Sequence, residues 1–251
     1  MLDAKSERSV ARLTEEVRHL FGTDLVSLVL YGSAVGEDFT PGQSDLNLAI
    51  VLDRLRFAHL QALQRHLAAW HKLGAATPLL MDRQFLARAR DVFPMELRDI
   101  QAQHRVLFGD EVFATLRIDA RHLRYQAEHE ARSKLLRLRV LFAEVGADRR
   151  RLRALMLESV KTFVIVMRNL CRLRGGEGPP RYLAALDEFE RLAGLSFPTM
   201  RCLVRVKLGL EPWPDGLDDT FASYLDEVVR LVDLTDRMVP EAPPPPVPDR
   251  A

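Results

Sequence analysis

Apolar residues recur at three- and four-residue steps from about Ser6 to Phe21, where Val10, Leu13, Val17, Leu20 and Phe21 are separated by charges, a spacing that predicts an amphipathic helix. The period then changes. Asp24 to Tyr31 (DLVSLVLY) and Leu46 to Leu52 (LNLAIVL) are short apolar runs bounded by Gly, Pro, Ser and Asp, and predict two buried strands joined by a glycine-containing loop. Phe57 to Leu73 returns to helical spacing. Thr77 to Met81 (TPLLM) predicts a third strand, and Pro78, having no N–H for a ladder, places that strand at an edge. Gln84 to Val106 is helical again with an interruption at Phe93-Pro94, and Val106 to Gly109 reads as a short extended piece.

Beyond Asp119 the strand pattern disappears. Arg121 to Val145, Arg149 to Leu173, Pro180 to Ala193, Phe197 to Leu208 and Asp218 to Met238 are helical in period, with a break at Gly175-Gly176-Glu177-Gly178-Pro179-Pro180. Four or five such helices suit a bundle. The expected fold class is therefore α+β, with a small mixed-sheet domain over residues 1–118 and an all-α bundle over 119–239. Residues 240–251 are proline-rich and expected to be disordered.

Composition narrows the function classes only modestly. Of 251 residues, 47% are hydrophobic and 28% charged, the balance of a globular chain and not of a disordered one. Thirty-six basic residues against thirty-five acidic ones give a formal charge of +1, so no global field points to nucleic acid or to an anionic membrane. Cys171 and Cys202 stand far apart without metal-ligand spacing and read as reduced thiols. The charged N-terminus and the lack of a long uncharged apolar run make a cytoplasmic location the expectation.

The chemistry is concentrated in the segment from Leu30 to Leu52, where a strand ends in Gly32-Ser33 and the next opens with Ser44-Asp45-Leu46-Asn47. Alternate residues of a strand share a face, so Asp45 and Asn47 present their side chains together. Gly32 allows a close backbone approach to a phosphate, and the Ser33 hydroxyl can bond to one. This segment resembles the signature of the polymerase-β-like nucleotidyltransferase superfamily: a strand ending in Gly-Ser, a loop, then Ser-Asp, an apolar residue, and Asp or Glu. Asp91 to Asp99, Val106 to Glu111 and Arg121 to Lys134 extend the resemblance to a bacterial nucleotidyltransferase-domain protein with a helical C-terminal domain. It implies a small mixed-sheet nucleotidyltransferase domain followed by a helical bundle. It also implies Mg²⁺ held by acids, with transfer of a nucleoside monophosphate from a nucleoside triphosphate to a hydroxyl acceptor.

The acids depart from that pattern. Asn47 stands where a second carboxylate is expected, and Thr77 to Met81 offers no third, with Asp82 only at its end. A charge-assisted contact is worth roughly 1.5–3 kcal/mol, so two missing charges should lower metal affinity by more than one order of magnitude. Asp45 and Asn47 are thus the expected catalytic and metal-binding residues, with Gly32, Ser33 and Ser44 on the nucleotide. Glu96, Asp82 and Glu128 are candidate replacement acids, each weighed against an ordinary solvated or paired charge. Lys161 and Arg168, seven residues apart on one apolar helix, are candidate triphosphate contacts, weighed against snorkelling. His122 and His129 read as surface residues, and Trp70 and Trp213 as packing anchors.

Two readings follow. One is a Mg²⁺-dependent nucleotidyltransferase with an unknown acceptor; the other is a catalytically inactive nucleotide- or partner-binding regulator that retains the fold, which the missing acids favour. A third is an assembly protein dimerising through its helical domain, with apolar faces from Phe197 to Leu210 and on the last helix.

Overall fold

The computed structural model describes residues 2–36, 39 and 44–237, and the expected tail over 240–251 lies outside them. The chain divides into two compact units, Met1–His122 and Leu123–Ala251, a few residues beyond the 118/119 boundary read from the sequence.

The first unit opens with α1, Ala4–Phe21, capped by the Asp3 carboxylate on the Ser6 N–H at 2.9 Å. Strands β1, Leu25–Tyr31, and β2, Asn47–Leu52, follow, with α2, Phe57–Lys72, leading to β3, Leu79–Asp82. Two short helices, α3 at Arg83–Arg88 and α4 at Pro94–Ala102, precede β4, His104–Gly109. The sheet order is β3-β2-β1-β4; β1 is antiparallel to β2 and β4, and β2 is parallel to β3.

Each face of the sheet is covered, which is why β1 and β2 read as unbroken apolar runs instead of alternating ones. Leu28, Leu30, Leu48 and Ile50 pack with Leu13 and Val17 of α1 and Leu63 and Trp70 of α2. Val29, Ala49 and Val51 face the other way, against Leu86 of α3, Leu97 and Ile100 of α4, and Phe113. The third strand starts at Leu79, two residues later than the TPLLM reading, so Pro78 lies just outside an edge strand. The extended piece at Val106 to Gly109 is longer than expected, and as β4 it forms the opposite edge.

The second unit holds α5, Ala120–Val145, from Leu123 onward, then α6, Arg149–Leu173, α7, Tyr182–Ala193, α8, Pro198–Lys207, and α9, Leu217–Arg237. Helix α6 is its centre: Met156, Val160, Phe163, Val164, Met167 and Leu170 have no exposed surface. It starts where the Asp148 carboxylate accepts the N–H groups of Arg150 and Arg151, both at 3.0 Å. The break before α7 is held by Glu188, which accepts the N–H of Glu177 at 3.0 Å and of Gly178 at 2.8 Å. No helix among the described residues is long and apolar enough to cross a membrane.

Candidate functional site

The last residue of β1, Tyr31, is the register partner of Asn47 on one side and of His104 on the other. The chain then turns at Gly32, whose φ of +75° suits glycine, into a single 3-10 turn, Gly32–Val35, closed by the Gly36 N–H on the Ser33 carbonyl at 3.1 Å. The Asn47 amide lies against this glycine: a Cβ built on Gly32 would stand 3.4 Å from Asn47 Nδ2. A Gly32→Ala substitution is expected to cost about 1–2 kcal/mol through left-handed backbone strain, read as a lower unfolding midpoint. An unchanged midpoint would mean that the turn relaxes out of this conformation.

Leu46 sets the aim of its two neighbours. It is buried in the α1/α2 face and bridges to Ala75, with its N–H on the Gly74 carbonyl at 2.8 Å and its carbonyl accepting the Ala76 N–H at 3.1 Å. Alternation therefore sends Asp45 and Asn47 to the opposite face, Asp45 exposed and Asn47 half-buried. Gly32, Ser33, Ser44, Asp45 and Asn47 thus converge at one end of β1 and β2.

Of the candidate replacement acids, Asp82 lies on the same sheet but away from this group. Asp82 is the register partner of Leu52, five residues along β2 from Asn47, or about 17 Å at ~3.3 Å per residue. Both its oxygens are engaged there, one by the Phe85 N–H at 2.7 Å as the cap of α3 and the other by the Leu55 N–H at 3.1 Å. Those amides, Phe85 first, hold its carboxyl below the usual carboxylate range. Asp82 thus serves as the cap of α3. Glu96 is exposed in the first turn of α4, at the rim of a 210 Å³ apolar cleft lined by Leu79, Phe85, Phe93 and Ile100. Glu128 belongs to the helical unit, where Arg124 at 3.2 Å and Arg132 at 3.0 Å flank it on α5.

No protein-family profile matches this chain, and no curated protein matches it by sequence. Its fold does match solved structures. It is similar to spectinomycin adenyltransferase AAD(9) from Enterococcus faecialis, solved with ATP and spectinomycin, with a TM-score of 0.59 and 11% identity over 92% of this chain and 99% of that one. The chain thus shares the fold of that adenyltransferase, a mixed-sheet domain followed by a helical one.

Asp45 supplies one carboxylate and Asn47 one neutral amide, and among the described residues no three His, Cys, Asp or Glu side chains converge to hold an ion. This set does not fit a two-cation centre, which needs several negative oxygens to offset the charge. On the helical unit, Lys161 is exposed, and Arg168 is half-buried with its Nη2 donating to the Pro180 carbonyl.

Three residues near the turn carried no signal in the sequence reading. Tyr31 is half-buried, and burial raises its phenol pKa. His104, its register partner, bonds through Nε2 to Glu111 at 2.8 Å. The other Glu111 oxygen accepts the N–H groups of Phe113 at 3.0 Å and Ala114 at 3.1 Å. Burial works against the Glu111 charge, but these bonds outweigh it and its pKa is lowered. The third is Gln103, whose carbonyl accepts the Gly32 N–H at 3.1 Å.

Proposed function

We propose that this protein binds a nucleoside triphosphate at the turn after β1 and serves as a regulator that has lost the full metal-dependent transfer chemistry. Gly32, Ser33 and Ser44 contact the phosphates, and Asp45, assisted by the Asn47 amide, contacts the Mg²⁺ that accompanies the triphosphate. The observation that carries this reading is the acid count among the described residues at the mouth of the sheet. Asn47 occupies the second acidic position beside Gly32, and Asp82 is fixed as a helix cap at the far end of β2. A single carboxylate can accompany a metal–nucleotide complex, whereas activating an acceptor hydroxyl and stabilising the leaving pyrophosphate calls for more.

In this reading the domains are residues 1–118 for the nucleotide and 119–239 for the helical bundle. The signal is passed to a protein partner or to a second copy of the chain. The second reading is transfer of a nucleoside monophosphate to a hydroxyl acceptor. It is supported by the likeness in fold to an adenyltransferase solved with both ATP and an acceptor.

The test is calorimetric titration of ATP and GTP in Mg²⁺ and in EDTA, together with an assay for pyrophosphate. Asp45→Ala is expected to weaken Mg²⁺-ATP binding by about tenfold, in keeping with one charge-assisted contact, and to leave little further dependence on Mg²⁺. Steady pyrophosphate release with a hydroxyl acceptor, spectinomycin included, would replace the regulator reading with the transfer one. Absence of binding to either nucleotide would end both.

A further inference from the structure

Gly36 closes the turn that Gly32 opens, and the two positions need glycine for different reasons. Gly32 needs it for its backbone, at φ +75°. Gly36 sits at φ −100° and ψ −162°, an extended conformation open to any residue. What excludes a side chain at Gly36 is space, because a Cβ there would stand 1.8 Å from Nε2 of Gln103 and 3.1 Å from its Cδ.

Gln103 is distant in sequence and firmly based. It ends α4, where its N–H reaches the carbonyls of Asp99 and Ile100, both at 3.2 Å. Its own carbonyl accepts the Gly32 N–H at 3.1 Å. One residue therefore holds both ends of the turn, by its main chain at Gly32 and by its side-chain amide packed onto Gly36.

A turn binds a phosphate chain well only when its N–H groups already converge, since ordering them on binding subtracts from affinity. We propose that Gln103 is a positioning residue for the nucleotide, its side-chain amide keeping the Gly32–Gly36 turn in the arrangement that receives the triphosphate. This inference rests on the nucleotide-binding reading above. It assigns the α4–β4 junction a part in binding that the motif itself does not contain.

A double-mutant cycle tests it. Gln103→Ala removes the amide, and Gly36→Ala pushes it away. Each is expected to weaken Mg²⁺-ATP binding about tenfold by calorimetry, and the pair together about tenfold as well, because both remove the same contact. The unfolding midpoint should move little in all three, since the displaced group is the tip of a flexible side chain and the Gly36 backbone suits alanine. Unchanged affinity in the single variants, losses that multiply to about a hundredfold in the pair, or losses that track the midpoint would each overturn the proposal. If the unmodified protein itself binds no nucleotide, the nucleotide reading fails and takes this inference with it. If it binds and the variants bind equally well, only the role of Gln103 fails.

Discussion

Replacing Trp70 with alanine is expected to lower the stability of the first unit by about 3–5 kcal/mol, the cost of emptying a fully buried aromatic site. Trp70 has no exposed surface, and its Nε1 donates to a Glu16 oxygen at 2.7 Å, tying the end of α2 to α1. Its backbone matters as much to the site. The Trp70 carbonyl accepts the N–H of Leu73 at 3.0 Å and of Ala75 at 3.1 Å, and Ala75 is the bridge partner of Leu46. Leu46 in turn separates Asp45 from Asn47, so loss of the indole should loosen the support beneath both and weaken nucleotide binding alongside stability. Denaturant unfolding followed by circular dichroism measures the first effect, and titration of Mg²⁺-ATP well below the unfolding midpoint measures the second. Trp70→Phe, which keeps most of the volume, should lose less. A Trp70→Ala protein as stable as the parent would show that α1 and α2 close over the gap.

The same contact carries a pH dependence. The Arg12 side chain foremost, and then Trp70 against the opposing effect of burial, hold the Glu16 carboxyl below its usual range. Because its folded pKa is depressed, this contribution is fully present above the ordinary carboxylate range and is lost as pH falls through the lowered value. The gap in stability between the parent and Trp70→Ala should therefore narrow in acid.

What the sequence revealed follows from how far each signal reaches. The strands β1 and β2 were legible because helices cover both faces and leave continuous apolar runs, and α6 was legible across Arg149–Leu173 because its apolar positions repeat at the helical period. The strand–loop–strand order from Leu30 to Leu52 was legible because its parts are consecutive, but the contact of Gly32 with the Asn47 amide was not. Pairing between distant segments was not. Nothing in Val106 to Gly109 tells that β4 lies beside β1, since its pattern of half-buried positions reports a sheet edge without naming the neighbour. Asp82 shows the same limit. Its place at the end of an apolar run was readable, but the parallel register that sets it opposite Leu52 is not written in local periodicity. Gln103 is an ordinary polar residue until the fold brings it onto Gly36.

In the helical unit the largest effect should come from Glu227. Replacing it with alanine is expected to lower stability by about 3 kcal/mol. Glu227 lies on α9, is only 2% exposed, and accepts the N–H of Thr199 through one oxygen and of Met200 through the other, both at 2.8 Å. These are among the first N–H groups of α8, which begins at Pro198 with no side-chain cap of its own. A helix start carries partial positive charge and several unsatisfied donors, so a carboxylate delivered from another helix both pairs the donors and complements the dipole. Glu190 of α7 strengthens the junction by accepting the Phe197 N–H at 2.7 Å. Alanine at 227 would leave two donors without their acceptor, whereas Glu227→Gln keeps one carbonyl oxygen and should fall between the parent and the alanine variant. The two tryptophans allow a clean reading, as Trp70 lies in the first unit and Trp213 in the second. In a Trp70→Phe background, fluorescence reports on Trp213 alone, and its transition should shift to lower denaturant on Glu227→Ala. If Glu227→Gln proved as stable as the parent, the charge would be dispensable and the junction would rest on hydrogen bonding alone.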